Sequence, residues 1–84
     1  MEKRAITIGL SAKNNERFMA ELVQLANRFS SVIHFAFEDK LINGKSIMGM
    51  MTLMAFSGTQ MDVIAEGADA KEAVEAIRAY VLGE

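Results

Sequence analysis

The residues of this sequence that look best suited to chemistry lie in the stretch NGKS, residues 43–46. Gly-Lys-Ser is the end of the phosphate-binding P-loop, in which the lysine contacts phosphates and the serine hydroxyl contacts Mg²⁺. The first glycine of that motif would stand at position 39, which is occupied by Asp39. The stretch also lacks the glycine-rich loop whose backbone N–H groups surround the phosphates, so it does not predict a nucleotide site.

Two other places carry groups capable of acid–base chemistry. His34 is the single histidine, and it has no motif around it, whereas a general base needs a positioned partner. Glu38 and Asp39 are adjacent carboxylates, which a turn directs apart and leaves solvated. These residues indicate surface positions rather than a catalytic centre, so we expect no enzyme, no bound cofactor and no metal.

Ser46 is interpreted as a helix N-cap, because it stands directly before the apolar run of GKSIMGMMTLM, residues 44–54. That run holds four of the seven methionines. A helix of about eight residues buries only one stripe, which is too narrow for Ile47, Met48, Met50, Met51, Leu53 and Met54. The methionines could fill the core, or the exposed ones could form adaptable apolar area that binds other proteins.

Length, charge and composition exclude several classes of protein. The chain has 84 residues, a net charge of -2 and no cysteine, which predicts one domain, residues 1–84, without disulfides. The slight negative charge argues against nucleic acid as a partner. The longest apolar run is about half the ~20 residues of a membrane span, and the start lacks the apolar region of a signal peptide. We therefore expect a cytoplasmic protein that does not bind membranes.

Alternating apolar and polar residues predict four β-strands. The first covers residues 3–8 and the second VIHFAF, residues 32–37, after which EDK makes a tight turn into the third, LIN. The fourth covers TQMDVIAE, residues 59–66. The side chains predicted to share the inner side of their strands are Arg4, Ile6, Ile8, Ile33, Phe35, Phe37, Met61, Val63 and Ala65.

Helical spacing predicts two helices besides the short one. The first starts near Asn15 and ends at Ser30, with an apolar stripe of Phe18, Met19, Leu22, Leu25, Ala26 and Phe29. The last is capped by Asp69, ends at Gly83 and buries Ala70, Ala73, Val74, Ile77 and Val81. Helices that cover one face of an antiparallel sheet make a two-layer α+β sandwich.

The chain resembles the phosphocarrier protein HPr of the bacterial sugar phosphotransferase system over nearly its whole length. The likeness lies in KSIMGMMTL after a hairpin, in GTQMDVIAEGAD and in ANRFSS. The resemblance implies the HPr fold, a four-stranded antiparallel sheet in the order 1-4-2-3 with three helices on one face. It also implies that Ser46 matches the serine modified by HPr kinase/phosphorylase. In the family an apolar surface binds a LacI-type transcription regulator, CcpA. The resemblance implies that Ile47, Met48 and Met51 match that surface.

The phosphocarrier histidine of the family is missing. In HPr it lies in a Gly-x-His-Ala-Arg-Pro stretch, where this chain has KNNERF, with Asn15 at the histidine position and only Arg17 of the flanking residues. An amide side chain cannot be phosphorylated as an imidazole can, so the resemblance argues against a histidine phosphocarrier. The arrangement is similar to that of the Crh-like branch of the family, which keeps the regulatory serine and replaces the histidine.

The resemblance therefore implies a non-catalytic regulator of carbon catabolite repression. Arg17 and Lys45 are expected to take part in partner binding, and the protein to act as a monomer or weak homodimer without a small-molecule substrate. One alternative is a diverged HPr paralogue that acts as an interaction module without phosphorylation. Another is a phosphocarrier that uses His34. The sequence argues against this alternative, because His34 is far from any predicted helix N-terminus.

Overall fold

The protein is described by a computed structural model that covers residues 1–8, 16–53, 58 and 60–83. Its strands and helices follow the predicted order. They are β1 (Glu2–Thr7), α1 (Glu16–Ala26), β2 (Val32–Phe37), β3 (Lys40–Asn43), α2 (Ile47–Leu53), β4 (Gln60–Glu66) and α3 (Ala70–Leu82). Thr59 and Asn15, with which the sequence pattern begins β4 and α1, lie outside the described residues.

The four strands form one antiparallel sheet in the order β1-β4-β2-β3. Successive side chains of a strand point to opposite faces, and the buried ones on the inner face are Ile6, Ile33, Phe35, Phe37, Met61, Val63 and Ala65. The helices cover that face: α3 contacts β1 and β4, whereas α2 contacts α1 and β3. The predicted two-layer α+β sandwich and its strand order are therefore confirmed.

Helix α1 is shorter than the sequence predicts, and the set of side chains that it buries differs slightly from the predicted stripe. It ends at Ala26 rather than near Ser30, because the amides of Arg28 and Phe29 bond carbonyls only three residues back and the backbone tightens into a turn. Its buried side chains are Met19, Leu22, Val23 and Ala26, and those that only flank the core are Phe18, Leu25 and Phe29. The prediction missed Val23.

Helix α3 begins and ends where the sequence indicates, but its first residue is held differently. Asp69 stands at the N-cap position, yet its carboxylate makes no capping bond to α3. It instead accepts the backbone N–H groups of Ser30 and Ser31, at 2.9 and 3.0 Å, so the predicted cap is wrong. Gly83 ends the helix at a φ of 81°, a left-handed conformation that glycine adopts without strain.

An ion pair fastens α3 to the edge strand β1. Arg4 points to the helix side of the sheet, as the alternation predicts, and its Nε lies 2.7 Å from Glu75 Oε2 and its Nη1 3.3 Å from Glu2 Oε1. The hydrogen bond to Glu75 is the main reason that the pKa of Arg4 is raised. These groups are partly exposed, so the pair orients α3 more than it stabilises the fold.

Candidate functional site

The turn that leads into α2 is built from Asn43 and Gly44. The Asn43 carboxamide oxygen accepts the Lys45 N–H at 2.9 Å, and the Asn43 carbonyl accepts the Ser46 N–H at 3.2 Å. Gly44 is buried, and a Cβ there would lie 2.9 Å from side-chain carbons of Ile33 and Phe35. Only glycine fits this close approach, and the predicted turn into a short helix is confirmed.

Ser46 caps α2 through its side chain. Its Oγ accepts the N–H of Gly49 at 3.2 Å, and its carbonyl accepts the N–H of Met50 at 2.9 Å. The first amides of a helix lack partners within the helix, and a serine hydroxyl at this position satisfies one of them. The predicted capping role is thus confirmed, and in this bond the hydroxyl acts only as an acceptor.

Lys45 ties the start of α2 to the end of α1. Its ammonium donates to the carbonyl of Phe29 at 2.6 Å. The Asn27 side-chain amide donates to the carbonyls of Val23 and Lys45, at 2.9 and 3.4 Å. The ammonium is therefore held towards the turn after α1 rather than extended into solvent. The sequence contains no signal for the role of Asn27, because its partner Lys45 lies 18 residues further along the chain.

The α2 side chains divide between the core and the surface. Met50 is fully buried, whereas Met48 is 81% exposed and Ile47 is 41% exposed. Met51 is half-buried and packs against the core, so it is shared between stability and surface. The prediction that the apolar residues exceed one buried stripe is confirmed for the described side chains, and those of Leu53 and Met54 lie outside them. We call Ser46, Ile47 and Met48 the α2 surface.

Arg17 is not close to Ser46 along α1. It lies in the first turn of α1, where its Nε is 3.4 Å from Glu21 Oε2 and its side chain is 86% exposed. The 11 residues of α1 span about 16 Å, and the contact with Lys45 is made just beyond the far end of that helix. Asn15, the position of the missing histidine, lies outside the described residues.

The remaining titratable candidates lie in the sheet and in the hairpin turn between β2 and β3. His34 is half-buried on the outer face of the sheet, opposite Asn43 and Ile64 of the neighbouring strands. Glu38 and Asp39 are exposed in the hairpin turn. In the described ranges no three His, Cys, Asp or Glu side chains are grouped so that they could hold a metal ion.

Tyr80 joins α1 and α3 on another side of the molecule. Its ring stacks on Phe18 with centroids 5.1 Å apart, and its hydroxyl donates to Glu21 Oε1 at 3.1 Å. Burial, reinforced by the neighbouring Glu21 carboxylate, raises the pKa of Tyr80. The groove beside it measures about 260 Å³ and is lined by Glu21, Gln24, Leu25, Arg28 and Tyr80. No helix in the described part of the chain is long and apolar enough to cross a bilayer.

The sheet order and the serine-capped helix define a class of protein: a small open-faced sandwich that presents one short helix with exposed apolar side chains. The family model described as the PTS HPr component phosphorylation site matches residues 2–82. The chain therefore belongs to the HPr family of the phosphotransferase system, whose members include phosphocarrier proteins HPr and HPr-like proteins Crh.

Three comparisons illustrate the relationship. The chain is 39% identical over 84 residues to the HPr-like protein Crh of Bacillus subtilis, covering all of this chain and 99% of that protein. A histidine-containing phosphocarrier protein of Mycoplasma has a TM-score of 0.86 at 30% identity, covering 98% of this chain and 93% of the other. A crystal structure of Bacillus subtilis Crh, described as a domain-swapped dimer, has a TM-score of 0.76 at 44% identity, covering 83% and 80%.

Proposed function

We propose that this protein is an HPr-like regulator of carbon catabolite repression in the cytoplasm. In this proposal HPr kinase/phosphorylase phosphorylates Ser46, and the modified protein binds a LacI-type transcription regulator of the CcpA kind. The docking surface comprises Ile47, Met48 and the exposed part of Met51, with Lys45 at its border. The relationship to Crh over the full chain supports this context.

The observation that carries the proposal is the position of the Ser46 hydroxyl beside exposed apolar side chains. Ser46 and the 81% exposed Met48 are two residues apart, at the start of a helix whose third methionine side chain, Met51, is half-buried. A partner that covers Met48 must therefore pass close to position 46. A change of charge at that position acts on the docking surface directly, without a change of fold.

Phosphorylation transfers the γ-phosphoryl group of ATP to Ser46 Oγ. The new Oγ–P bond forms, the bond between the γ-phosphorus and the ADP leaving group breaks, and the hydroxyl proton is released to water. The added group carries about -1.5 to -2 charge and strong acceptor oxygens, which can bind an arginine of the partner in a bidentate pair. Because Lys45 is already bonded to Phe29, we expect the partner to supply most of the positive charge.

The proposal excludes the histidine phosphocarrier role. Asn15 stands where the family has its histidine, Glu16 adds a carboxylate beside it, and Arg17 is paired with Glu21. We expect no acid-labile phosphate on the protein after incubation with phosphoenolpyruvate and enzyme I. Phosphate found on His34 by peptide mapping would contradict this part of the proposal. Asn15→His alone should restore little transfer, since Glu16 and Phe18 also depart from the motif.

The decisive experiment is incubation of the protein with ATP and HPr kinase/phosphorylase, followed by intact-mass measurement. A gain of one phosphate is expected, and it should be absent in Ser46→Ala. Binding to the purified regulator is then measured for the unmodified, phosphorylated and Ser46→Asp forms. If no mass gain occurs, or if the gain survives in Ser46→Ala, the switch is refuted. A family member that acts as an interaction module without phosphorylation would then be the conclusion.

A further inference from the structure

Met48 is far more exposed to solvent than most of the other described methionines. Its side chain is 81% exposed, whereas Met19 and Met50 are fully buried and Met61 is nearly so. Met51 is half-buried against the core. Of the methionines that the structure describes, only Met1 is as exposed to solvent. Met1 precedes β1, and β1 and β3 are the two opposite edges of the sheet. Helix α2 contacts β3, so Met1 is remote from it.

We propose that Met48 is an oxidative modification site, and that its oxidation by a hydroperoxide weakens the α2 surface as a docking surface. A thioether reacts where an oxidant and its water shell can reach the sulfur, so the fold protects the buried methionines and leaves Met48 open. The consequence for docking rests on the proposed function, whereas the selectivity of the oxidation is independent of it.

The chemical step is a two-electron oxidation of the sulfur. The lone pair of the Met48 sulfur attacks one oxygen of the peroxide, the O–O bond breaks, and the sulfur–oxygen bond forms. With hydrogen peroxide the second oxygen leaves as water after taking up the transferred proton, and with an organic hydroperoxide it leaves as an alcohol. Methionine sulfoxide reductases return the sulfoxide to the thioether, so the change is reversible.

The effect on the surface follows from the polarity of the sulfoxide. The flexible apolar tip of Met48 becomes a dipolar group that a partner must desolvate before it can cover α2. Losing the apolar contact of one methionine side chain corresponds to binding weakened on the order of tenfold. Because the backbone of α2 is held by Ser46 and by the buried Met50, the fold itself is expected to remain.

The first test is mapping of the oxidation sites. The folded protein is treated with hydrogen peroxide for increasing times, and fragment mass spectra locate each added oxygen. Met48 and Met1 should be oxidised first, Met51 later, and Met19, Met50 and Met61 only when urea has unfolded the chain. Oxidation of Met50 at the same rate as Met48 in the folded protein would overturn the proposal.

The second test measures the surface itself. On a hydrophobic-interaction column the oxidised protein should elute earlier than the untreated protein, and reductase treatment should restore the elution. The Met48→Leu variant keeps an apolar side chain that cannot be oxidised. Peroxide should therefore shift its elution less than that of the original chain, by the part that oxidised Met1 contributes. An equal shift in Met48→Leu would assign the effect to another methionine and refute the proposal.

The third test uses the phosphorylated protein and the LacI-type regulator. Peroxide should weaken binding of the original chain on the order of tenfold, whereas Met48→Leu, compared with its own untreated baseline, should not change. Binding that peroxide leaves unchanged in the original chain would refute the docking consequence. If the untreated protein does not bind the regulator at all, the proposed function fails, and the mapping and elution tests still decide the oxidation site.

Discussion

The carboxylate of Asp69 accepts both the backbone N–H and the side-chain hydroxyl of Ser31, a residue 38 positions earlier in the chain. It also accepts the N–H of Ser30 at 2.9 Å. The turn after α1 is thereby joined to the start of α3. Gly67 completes this junction, since a Cβ at that position would lie 2.8 Å from Ser31 Cα.

This junction predicts a dependence of stability on acid pH. The hydrogen bond from the Ser31 hydroxyl, with those from the Ser30 and Ser31 amides, lowers the pKa of Asp69 from 3.8 to about 2. The folded state binds its proton less readily than the unfolded state, so the contribution is complete above about pH 4 and is lost as the pH falls from there towards 2. Asp69→Asn should lower the melting temperature at neutral pH and reduce its decline over that window.

The control for this prediction is Glu66→Gln, which removes an exposed carboxylate at the end of β4, three residues from Asp69. Melting temperatures of the three proteins are measured by circular dichroism from pH 7 to pH 2. The Glu66→Gln curve should run parallel to that of the original chain. If Asp69→Asn also runs parallel, the junction does not titrate as described.

Alanine substitutions of Met48 and Met50 should have separate effects on binding and on stability. Met50→Ala removes a fully buried side chain and should cost about 2–5 kcal/mol of unfolding free energy. Met48→Ala removes an exposed side chain and should change stability by less than about 0.5 kcal/mol. In the proposed complex with the regulator, however, Met48→Ala should weaken binding by about 1–2 kcal/mol.

Urea unfolding and calorimetric titration measure the two quantities on the same samples. Met51→Ala should lie between the two variants in stability, because Met51 packs against the core from a half-buried position. A large loss of stability in Met48→Ala would mean that its side chain belongs to the core.

The capping bond of Ser46 has a measurable effect apart from any modification. Ser46→Ala leaves the N–H of Gly49 without its acceptor and should cost about 0.5–2 kcal/mol. Ser46→Asp supplies another capping oxygen and should retain most of the stability. Chemical denaturation of the three proteins decides the point, and an equal loss in both variants would show that the hydroxyl has a role other than capping.

The hairpin turn offers a stabilising substitution. Glu38 has a φ of 54°, in the left-handed region that costs an ordinary side chain about 1–2 kcal/mol and that asparagine tolerates better. Glu38→Asn should therefore raise stability by about 0.5–1 kcal/mol. Its neighbour Asp39 does not have a positive φ, so Asp39→Asn is the matched control and should have almost no effect. Equal gains in both variants would point to charge rather than backbone conformation.

Local patterns in the sequence determined the strands, the helices and the cap of α2. Alternation identified the inner faces of β2 and β4, because a strand with one buried face repeats every two residues. The roles of Ser46 at the start of α2 and of Gly83 at the end of α3 could be predicted, because capping depends on residues within one turn of the same helix. The number of apolar residues after Ser46 showed that some had to be exposed, although it did not show which ones.

Tertiary structure decided the features that join residues distant in the chain. Asp69 looked like a cap for α3, yet its carboxylate binds Ser31, because two amides and a hydroxyl converge on it only after α1 and α3 have packed. The sequence predicted only a partner-binding role for Lys45, whereas α1 places the carbonyl of Phe29 within reach of its ammonium. The burial of Met50 and the exposure of Met48 depend on how α2 lies against α1 and β3. Helical spacing fixes the angle between two side chains but not the direction of the core.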